Sequence, residues 1–148
     1  MKINKDVMFS IAKVVGEQSY AKRKQVGAVI STRNGVVLTG YNGTPTGTNN
    51  KCESDDDWST LDSVIHAEQN CILKAAKEGV SIEGGKVFVT LSPCVRCAAM
   101  LLQCGVSEVW YLHEYKDLSG VQLLNENGIP CTKYFVQTPC TKHQLLPS

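Results

Sequence analysis

The stretch VIHAEQN, residues 64–70, places a histidine and a glutamate two positions apart, at His66 and Glu68. On an α-helix such residues lie about 200° apart around the axis, because neighbours on one face are three or four residues apart. If both side chains serve one site, they must lie at the first turn of a helix that faces a pocket end-on. In a second stretch, SPCVRC at residues 92–97, Cys94 and Cys97 are three residues apart and share one helical face. The spacing therefore predicts two helix N-termini that point into one pocket.

Apolar periodicity around these motifs predicts alternating helices and strands. An amphipathic helix is predicted over residues 5–18, with Val7, Ile11, Val14 and Val15 on its apolar stripe. Strands are predicted at 26–32 and 35–42, joined by a tight turn at Asn34-Gly35, and a helix follows from an N-cap at Asp62 or Ser63 to Glu78. After a strand at 86–91, a second helix runs from an N-cap at Ser92 through Pro93 to Gly105. The last predicted elements are a strand at 107–112, a helix at 119–128 and a strand at 129–136. We expect one α/β domain over residues 1–148, with a mixed five-stranded sheet between helices on both faces.

The overall composition is that of a soluble globular protein. The chain has 148 residues, 43% of them hydrophobic and 20% charged, and a formal net charge of +1, which argues against a polynucleotide partner. Lys5, Asp6 and Lys13 interrupt the apolar residues of the N-terminus, so we expect neither a signal peptide nor a membrane span. The chain has seven cysteines, and an odd number does not indicate the disulfide framework of a secreted protein. The expected location is the cytoplasm, or the host cytoplasm if the chain is phage-encoded.

The cysteine pair and the histidine together predict a metal centre. A helix N-terminus stabilises thiolates and so favours metal binding by Cys94 and Cys97. With His66, the set provides three ligands, and three protein ligands plus a water are typical of a catalytic zinc. Cys104 lies about 10 Å further along the helix, and Cys71 lies more than a turn from His66 and off its face. Neither can close the site, and Cys52, Cys131 and Cys140 could reach it only through a loop arrangement that nothing in the sequence requires, so we expect the site to stay open.

An open zinc lowers the pKa of its water toward about 7, and a carboxylate beside that water can take its proton and pass it on. Glu68, at the same helix mouth as His66, is placed for this role. The pattern H-x-E followed by P-C-x-x-C is the signature of zinc nucleobase deaminases, and HAE with PCVRC matches every position. A C-x-x-C pair alone also fits a redox protein or a non-catalytic zinc module that serves as an oligomer scaffold. Glu68 favours the catalytic hypothesis, because a structural site needs no proton shuttle.

A wider resemblance is carried by five stretches: VGAVI, GYNGTPTG, HAEQN, VTLSPCVRCA and YKDLSGVQLLNENGI. With these stretches the chain resembles the deoxycytidylate (dCMP) deaminases of phages and eukaryotes, in the zinc-dependent cytidine deaminase superfamily. The resemblance implies a cytidine-deaminase-like α/β/α fold and hydrolysis of dCMP to dUMP and ammonia, which feeds thymidylate synthesis. It implies that Asn42 binds the deoxyribose hydroxyl, that the Ala67 N–H and the Ser92 region contact the pyrimidine edge, and that Tyr115 contacts the nucleotide. For the phosphate, the candidates are Lys74, Lys77 and Lys116.

The same resemblance implies a homo-hexamer that dCTP with Mg²⁺ activates and dTTP inhibits. The long loop at residues 43–60 and the basic stretch KRKQ are the expected effector surfaces, with Asn42, Gly43, Lys22 and Lys24 as candidate contacts. Some phage relatives carry a second, structural zinc. Here Cys52 lies in the loop but SYAKRK has no cysteine, so we expect only the catalytic zinc. The runner-up is a tRNA adenosine deaminase, which shares both zinc motifs but would need more positive charge.

Overall fold

A computed structural model describes residues 3–137 of the chain. Its elements are α1 (Lys5–Gly16), β1 (Gly27–Ser31), β2 (Val37–Tyr41), α2 (Ala67–Glu78), β3 (Lys86–Leu91), α3 (Val95–Gln103), β4 (Glu108–His113), α4 (Ser119–Glu126) and β5 (Cys131–Lys133). The strands form one sheet in the order β2-β1-β3-β4-β5. β1 is antiparallel to β2 and β3, whereas β3, β4 and β5 are parallel. The prediction of a mixed five-stranded sheet is confirmed.

The sheet is covered on both faces, as predicted. Side chains alternate between the two faces along β3, so Val87 and Val89 belong to the core cluster that includes buried residues of α2, α3 and α4, while Phe88 packs against Phe9 of α1. Leu101 of α3 belongs to the larger core cluster and is fully buried. The fold is therefore a three-layer α/β/α arrangement in which α1 covers one face and the other three helices cover the opposite face.

The apolar stripe predicted for α1 is confirmed at Val15, which is buried, and at Ile11, which packs against a core cluster, but is wrong at Val7 and Val14. Val7 and Val14 are exposed, and the buried residues of the helix are Phe9, Ala12, Val15 and Gly16. A Cβ atom at Gly27 of β1 would lie only 1.8 Å from the Ala12 carbonyl oxygen, so the two backbones are in direct contact. Small residues, Ala12 and Gly16, occupy the point where α1 meets Gly27, and Val7 and Val14 lie toward solvent.

The two helices that carry the motifs begin later than predicted. The N-cap of α2 is His66 rather than Asp62 or Ser63, because Ile65 is paired with Gly43 through two backbone hydrogen bonds and is held extended. Similarly, Cys94 rather than Ser92 is the N-cap of α3, since the Ser92 N–H donates to the His113 carbonyl and prolongs the β3–β4 ladder.

Other boundaries also differ from the predictions. The β1–β2 connection spans five residues, 32–36, instead of a two-residue Asn34-Gly35 turn; the Thr32 N–H donates to the Val36 carbonyl oxygen at 2.9 Å, and among these residues only Gly35 has a positive φ, of 84°. The last strand, β5, spans three residues instead of 129–136. Met100, predicted to be in the core, is 41% exposed. The tail interpreted as patternless lies outside the described residues from position 138 onward. Within residues 3–137, no helix is both long enough and apolar enough to cross a membrane.

Candidate metal centre and active site

The position of His66 explains the two-residue spacing of the HAE motif. As the N-cap of α2, His66 has extended backbone angles and its N–H donates to the Gln69 side chain at 2.8 Å. Glu68 is in the first helical turn. The 200° separation applies only when both residues are helical, so the two side chains can line the same cavity, as they do.

His66, Cys94 and Cys97 form a cluster whose ligand atoms all lie within 4.8 Å of one another. His66 Nδ1 lies 3.5 Å from the Cys94 Sγ and 3.4 Å from the Cys97 Sγ. A tetrahedral zinc with ordinary bond lengths requires nitrogen–sulfur separations of about 3.6 Å. The donor types and their spacing therefore fit zinc.

The electrostatics of the cluster favour a thiolate. Hydrogen bonding from the Cys97 side chain and from His66 lowers the pKa of Cys94 to about 3, well below that of an ordinary thiol. The same hydrogen bonding raises the pKa of Cys97, and the bond to Cys94 raises that of His66. Zinc binding requires both thiols to lose their protons.

Glu68 is a buried carboxyl group beside this cluster. It is only 4% exposed, and burial raises its pKa to about 7. Keeping a buried carboxyl group charged is costly, so its position beside the candidate metal ligands is typical of a functional group.

These groups open into a cavity of about 360 Å³, within the size range of small-molecule sites. All four residues expected to contact substrate line it: Asn42, Ala67, Ser92 and Tyr115. The three lysines expected to bind phosphate are not among its described lining residues, and Lys74 instead donates to the Thr39 carbonyl oxygen. The cations that line the cavity are Arg23 and Lys24.

The polar residues of the cavity are partly engaged already. The Asn42 side chain accepts from the Val26 N–H at 2.8 Å and donates to the Lys24 carbonyl oxygen at 2.9 Å, which leaves its second amide hydrogen available. The Ser92 hydroxyl accepts from the Tyr115 N–H at 2.8 Å and retains its own proton as a donor.

The candidate effector residues do not lie together. Asn42 and Lys24 line this first cavity, whereas Lys22 lines a second cavity of about 580 Å³ with Lys51 and Trp58. The Gly43 N–H donates to the Ile65 carbonyl oxygen at 3.0 Å, so it is not free to bind a phosphate.

Two residues of the first cavity were missed from the sequence, Arg23 and Glu53. The basic run KRKQ was a signal for Arg23, although it was interpreted as an effector surface. Glu53 carries no such signal, since it is a single carboxylate within a polar loop.

Comparison with known proteins places this site in a family. Residues 2–113 match the family described as the cytidine and deoxycytidylate deaminase zinc-binding region. A deoxycytidylate deaminase of Enterobacteria phage T4 is 31% identical over 149 aligned positions, covering 73% of this chain and 77% of the phage protein. An uncharacterized deaminase of Aliivibrio fischeri is 37% identical over 109 residues, covering 74% of this chain and 72% of that protein.

The structural comparison agrees. The crystal structure of the dCMP deaminase from cyanophage S-TIM5, in complex with dCMP and dUMP, matches with a TM-score of 0.84 at 40% identity, covering 90% of this chain and 99% of that one. Fold and comparisons together define a deaminase of the zinc-binding type, and the cluster of His66, Cys94 and Cys97 beside a buried carboxyl group is its candidate metal centre. The chain belongs to the cytidine and deoxycytidylate deaminase family, and it is an enzyme of that family.

Proposed function

We propose that the chain hydrolyses dCMP to dUMP and ammonia. The observation that carries this proposal is the first cavity, which brings Glu68 and the candidate metal ligands together with two cations, Arg23 and Lys24. A nucleotide monophosphate has the matching chemistry, namely an exocyclic amine to be hydrolysed and a phosphate to be bound. The similarity to the cyanophage enzyme bound to dCMP and dUMP supports the same substrate.

His66, Cys94 and Cys97 would hold the zinc, since their donor atoms have the required types and separations. When bound, the metal supplies a water of lowered pKa as the nucleophile for C4 of the pyrimidine. This leaves two tasks to the protein: to move protons between the water and the base, and to hold the base so that C4 faces the metal ligands.

Glu68 moves the protons. Its carboxylate takes one proton from the attacking water and delivers it to the ring nitrogen N3. The new bond from C4 to the water oxygen is followed by cleavage of the bond from C4 to the amino nitrogen. A second water-derived proton, carried by the same carboxylate, leaves with the amine as ammonia. Burial at the N-terminus of α2 keeps Glu68 away from bulk solvent during these transfers.

Four residues orient the nucleotide. The Ala67 N–H lies in the first turn of α2, where helix N–H groups have no intrahelical acceptor, so it can donate to the pyrimidine edge. The Ser92 hydroxyl provides a second donor to that edge. The free amide hydrogen of Asn42 suits the deoxyribose hydroxyl, and Tyr115 lies beside Lys24 at the cavity, with the lysine nitrogen 6.0 Å from the ring centroid.

The test is ammonia release from dCMP, dCTP, deoxycytidine, cytidine and an adenosine-containing tRNA stem-loop. We expect wild type to prefer dCMP, and Glu68→Ala to lose activity while it retains zinc. Glu78→Ala is the matched control, because it removes an exposed carboxylate from the same helix. Turnover of the tRNA stem-loop in place of dCMP would contradict the proposed substrate, and a fully active Glu68→Ala would contradict the proposed mechanism.

We further propose that dCTP with Mg²⁺ activates the enzyme and dTTP inhibits it, within a homo-hexamer that supplies dUMP for thymidylate synthesis. The second cavity supports an effector role through Lys22, which offers charge to phosphates and whose Nζ lies 5.9 Å from the centroid of the exposed Trp58 ring; Lys51 in the same cavity is paired with Asp55. Saturation curves for dCMP test the regulation, and curves unchanged by either triphosphate would contradict it. Light scattering coupled to gel filtration tests the hexamer.

A further inference from the structure

Glu53 connects two segments that are about thirty residues apart in the chain. It is 8% exposed, and its Oε2 accepts hydrogen bonds from the backbone N–H groups of Lys22, at 2.9 Å, and Arg23, at 3.1 Å. Bonds from N–H groups to an ionised carboxylate are stronger than those between neutral groups. One side-chain oxygen thus fixes two consecutive peptide units of the basic stretch.

Glu53 holds the backbone of the basic stretch at the point where neighbouring side chains enter different cavities. Lys22 lines the second cavity, whereas Arg23 and Lys24 line the first, and Glu53 itself lines both. Asn42 holds the next peptide along by donating to the Lys24 carbonyl oxygen. The direction taken by the Arg23 side chain therefore depends on a backbone that Glu53 holds.

We propose that Glu53 is a positioning residue that sets selectivity for a nucleoside monophosphate over the unphosphorylated nucleoside. This inference rests on the proposed deamination of dCMP. Arginine and lysine side chains lose considerable rotamer freedom when they bind a ligand. Because Glu53 already fixes the backbone, binding costs no further backbone entropy. Arg23 and Lys24 therefore bind the phosphate from a preorganised segment.

Three substitutions separate positioning from charge. Glu53→Gln keeps the length of the side chain and an oxygen that can accept both N–H groups, but it removes the charge. Glu53→Asp keeps the charge but is one methylene too short to reach both donors. Glu53→Ala removes both properties. Asp56→Asn is the matched control, since it removes an exposed negative charge from the same loop.

The experiment measures kcat and KM of the zinc-loaded variants for dCMP and for deoxycytidine. We expect Glu53→Ala and Glu53→Asp to raise the KM for dCMP about tenfold, the equivalent of one charged hydrogen bond. Their kcat for dCMP and their kcat/KM for deoxycytidine should stay within about twofold of wild type, because the lost interaction affects only the binding of the phosphate. Glu53→Gln and Asp56→Asn should keep most of the wild-type selectivity.

Two results would overturn the inference. Equal losses of kcat/KM for both substrates would show that Glu53 only supports the fold. A loss of selectivity in Glu53→Gln that Glu53→Asp does not share would show that its charge acts directly. Failure of the proposed function is distinct, because wild type itself would then show no preference for dCMP over deoxycytidine. If Glu53→Ala does not fold, the comparison of Glu53→Gln with Glu53→Asp still decides.

Discussion

Gly40 of β2 lies directly beneath the first turn of α2. A Cβ atom at this position would lie 2.5 Å from the Ala67 carbonyl oxygen and 3.0 Å from both the N and the Sγ of Cys71. Two of these three neighbours are backbone atoms, which cannot rotate away. Gly40→Ala must therefore push the beginning of α2 away from the sheet, and His66 and Glu68 move with it.

The size of the displacement follows from these distances. Ordinary contact begins at 3.4 Å, so the helix must retreat by about 3.4 − 2.5 = 0.9 Å. Overpacking of this kind costs about 1–3 kcal/mol of stability, partly offset by about 0.5–1 kcal/mol because alanine suits a strand better than glycine. A misplacement of about 1 Å at a reacting group can reduce the rate about 100-fold. We expect kcat/KM for dCMP to fall about 10- to 100-fold.

The assay compares Gly40→Ala with Gly43→Ala, for dCMP deamination and for urea unfolding, with zinc content measured in both. At Gly43 the nearest atom to an added Cβ is 3.8 Å away, an ordinary contact, so this control should lose less than about 0.5 kcal/mol. Gly40→Ala with wild-type kcat/KM would refute the reasoning, because it would show that the site tolerates a displaced α2. Equal losses in both variants would refute it as well.

Two further predictions concern the metal and the packing of α1. Cys97→Ser should lose most of its zinc, whereas Cys104→Ser should keep about one zinc per chain; metal analysis measures this, and two zincs per wild-type chain would contradict a single site. The Tyr134 hydroxyl donates to Asp6 at 2.7 Å, which raises the pKa of Tyr134 to about 12. A raised pKa stabilises the protonated native state, so this contribution is complete below the ordinary value of 10 and is lost as the pH rises toward 12. Tyr134→Phe should therefore lower the free energy of unfolding by about 0.5–1 kcal/mol at pH 7, because the pair is partly exposed, and by less above pH 10. Urea titrations that give the same difference at every pH would contradict this prediction.

The sequence was informative where the pattern is local. Cys94 and Cys97 belong to one helical turn, and His66 lies two residues from Glu68, so short-range spacing alone predicted the candidate metal ligands and the carboxylate. Periodicity also predicted the order of strands and helices, because alternation of apolar residues reflects which face of each element is buried.

Local signals failed where another element competed for the same backbone. Asp62, Ser63 and Ser92 are good N-cap residues, yet Asp62 and Ser63 lie in a turn, while Ile65 is paired with Gly43 and Ser92 with His113. The helices consequently begin at the metal-ligand motifs themselves. The exposed valines of α1 have a similar origin, since contact with Gly27 selects the small residues of the helix.

The sequence by itself determined the chemistry of the centre: which residues can bind zinc and which can carry protons. Only the tertiary structure decided which groups line the first cavity. Arg23 lines the first cavity, and its backbone N–H donates to Glu53, thirty residues away. No periodicity reports such a contact, because one hydrogen bond between two loops depends on how the sheet and helices bring those loops together.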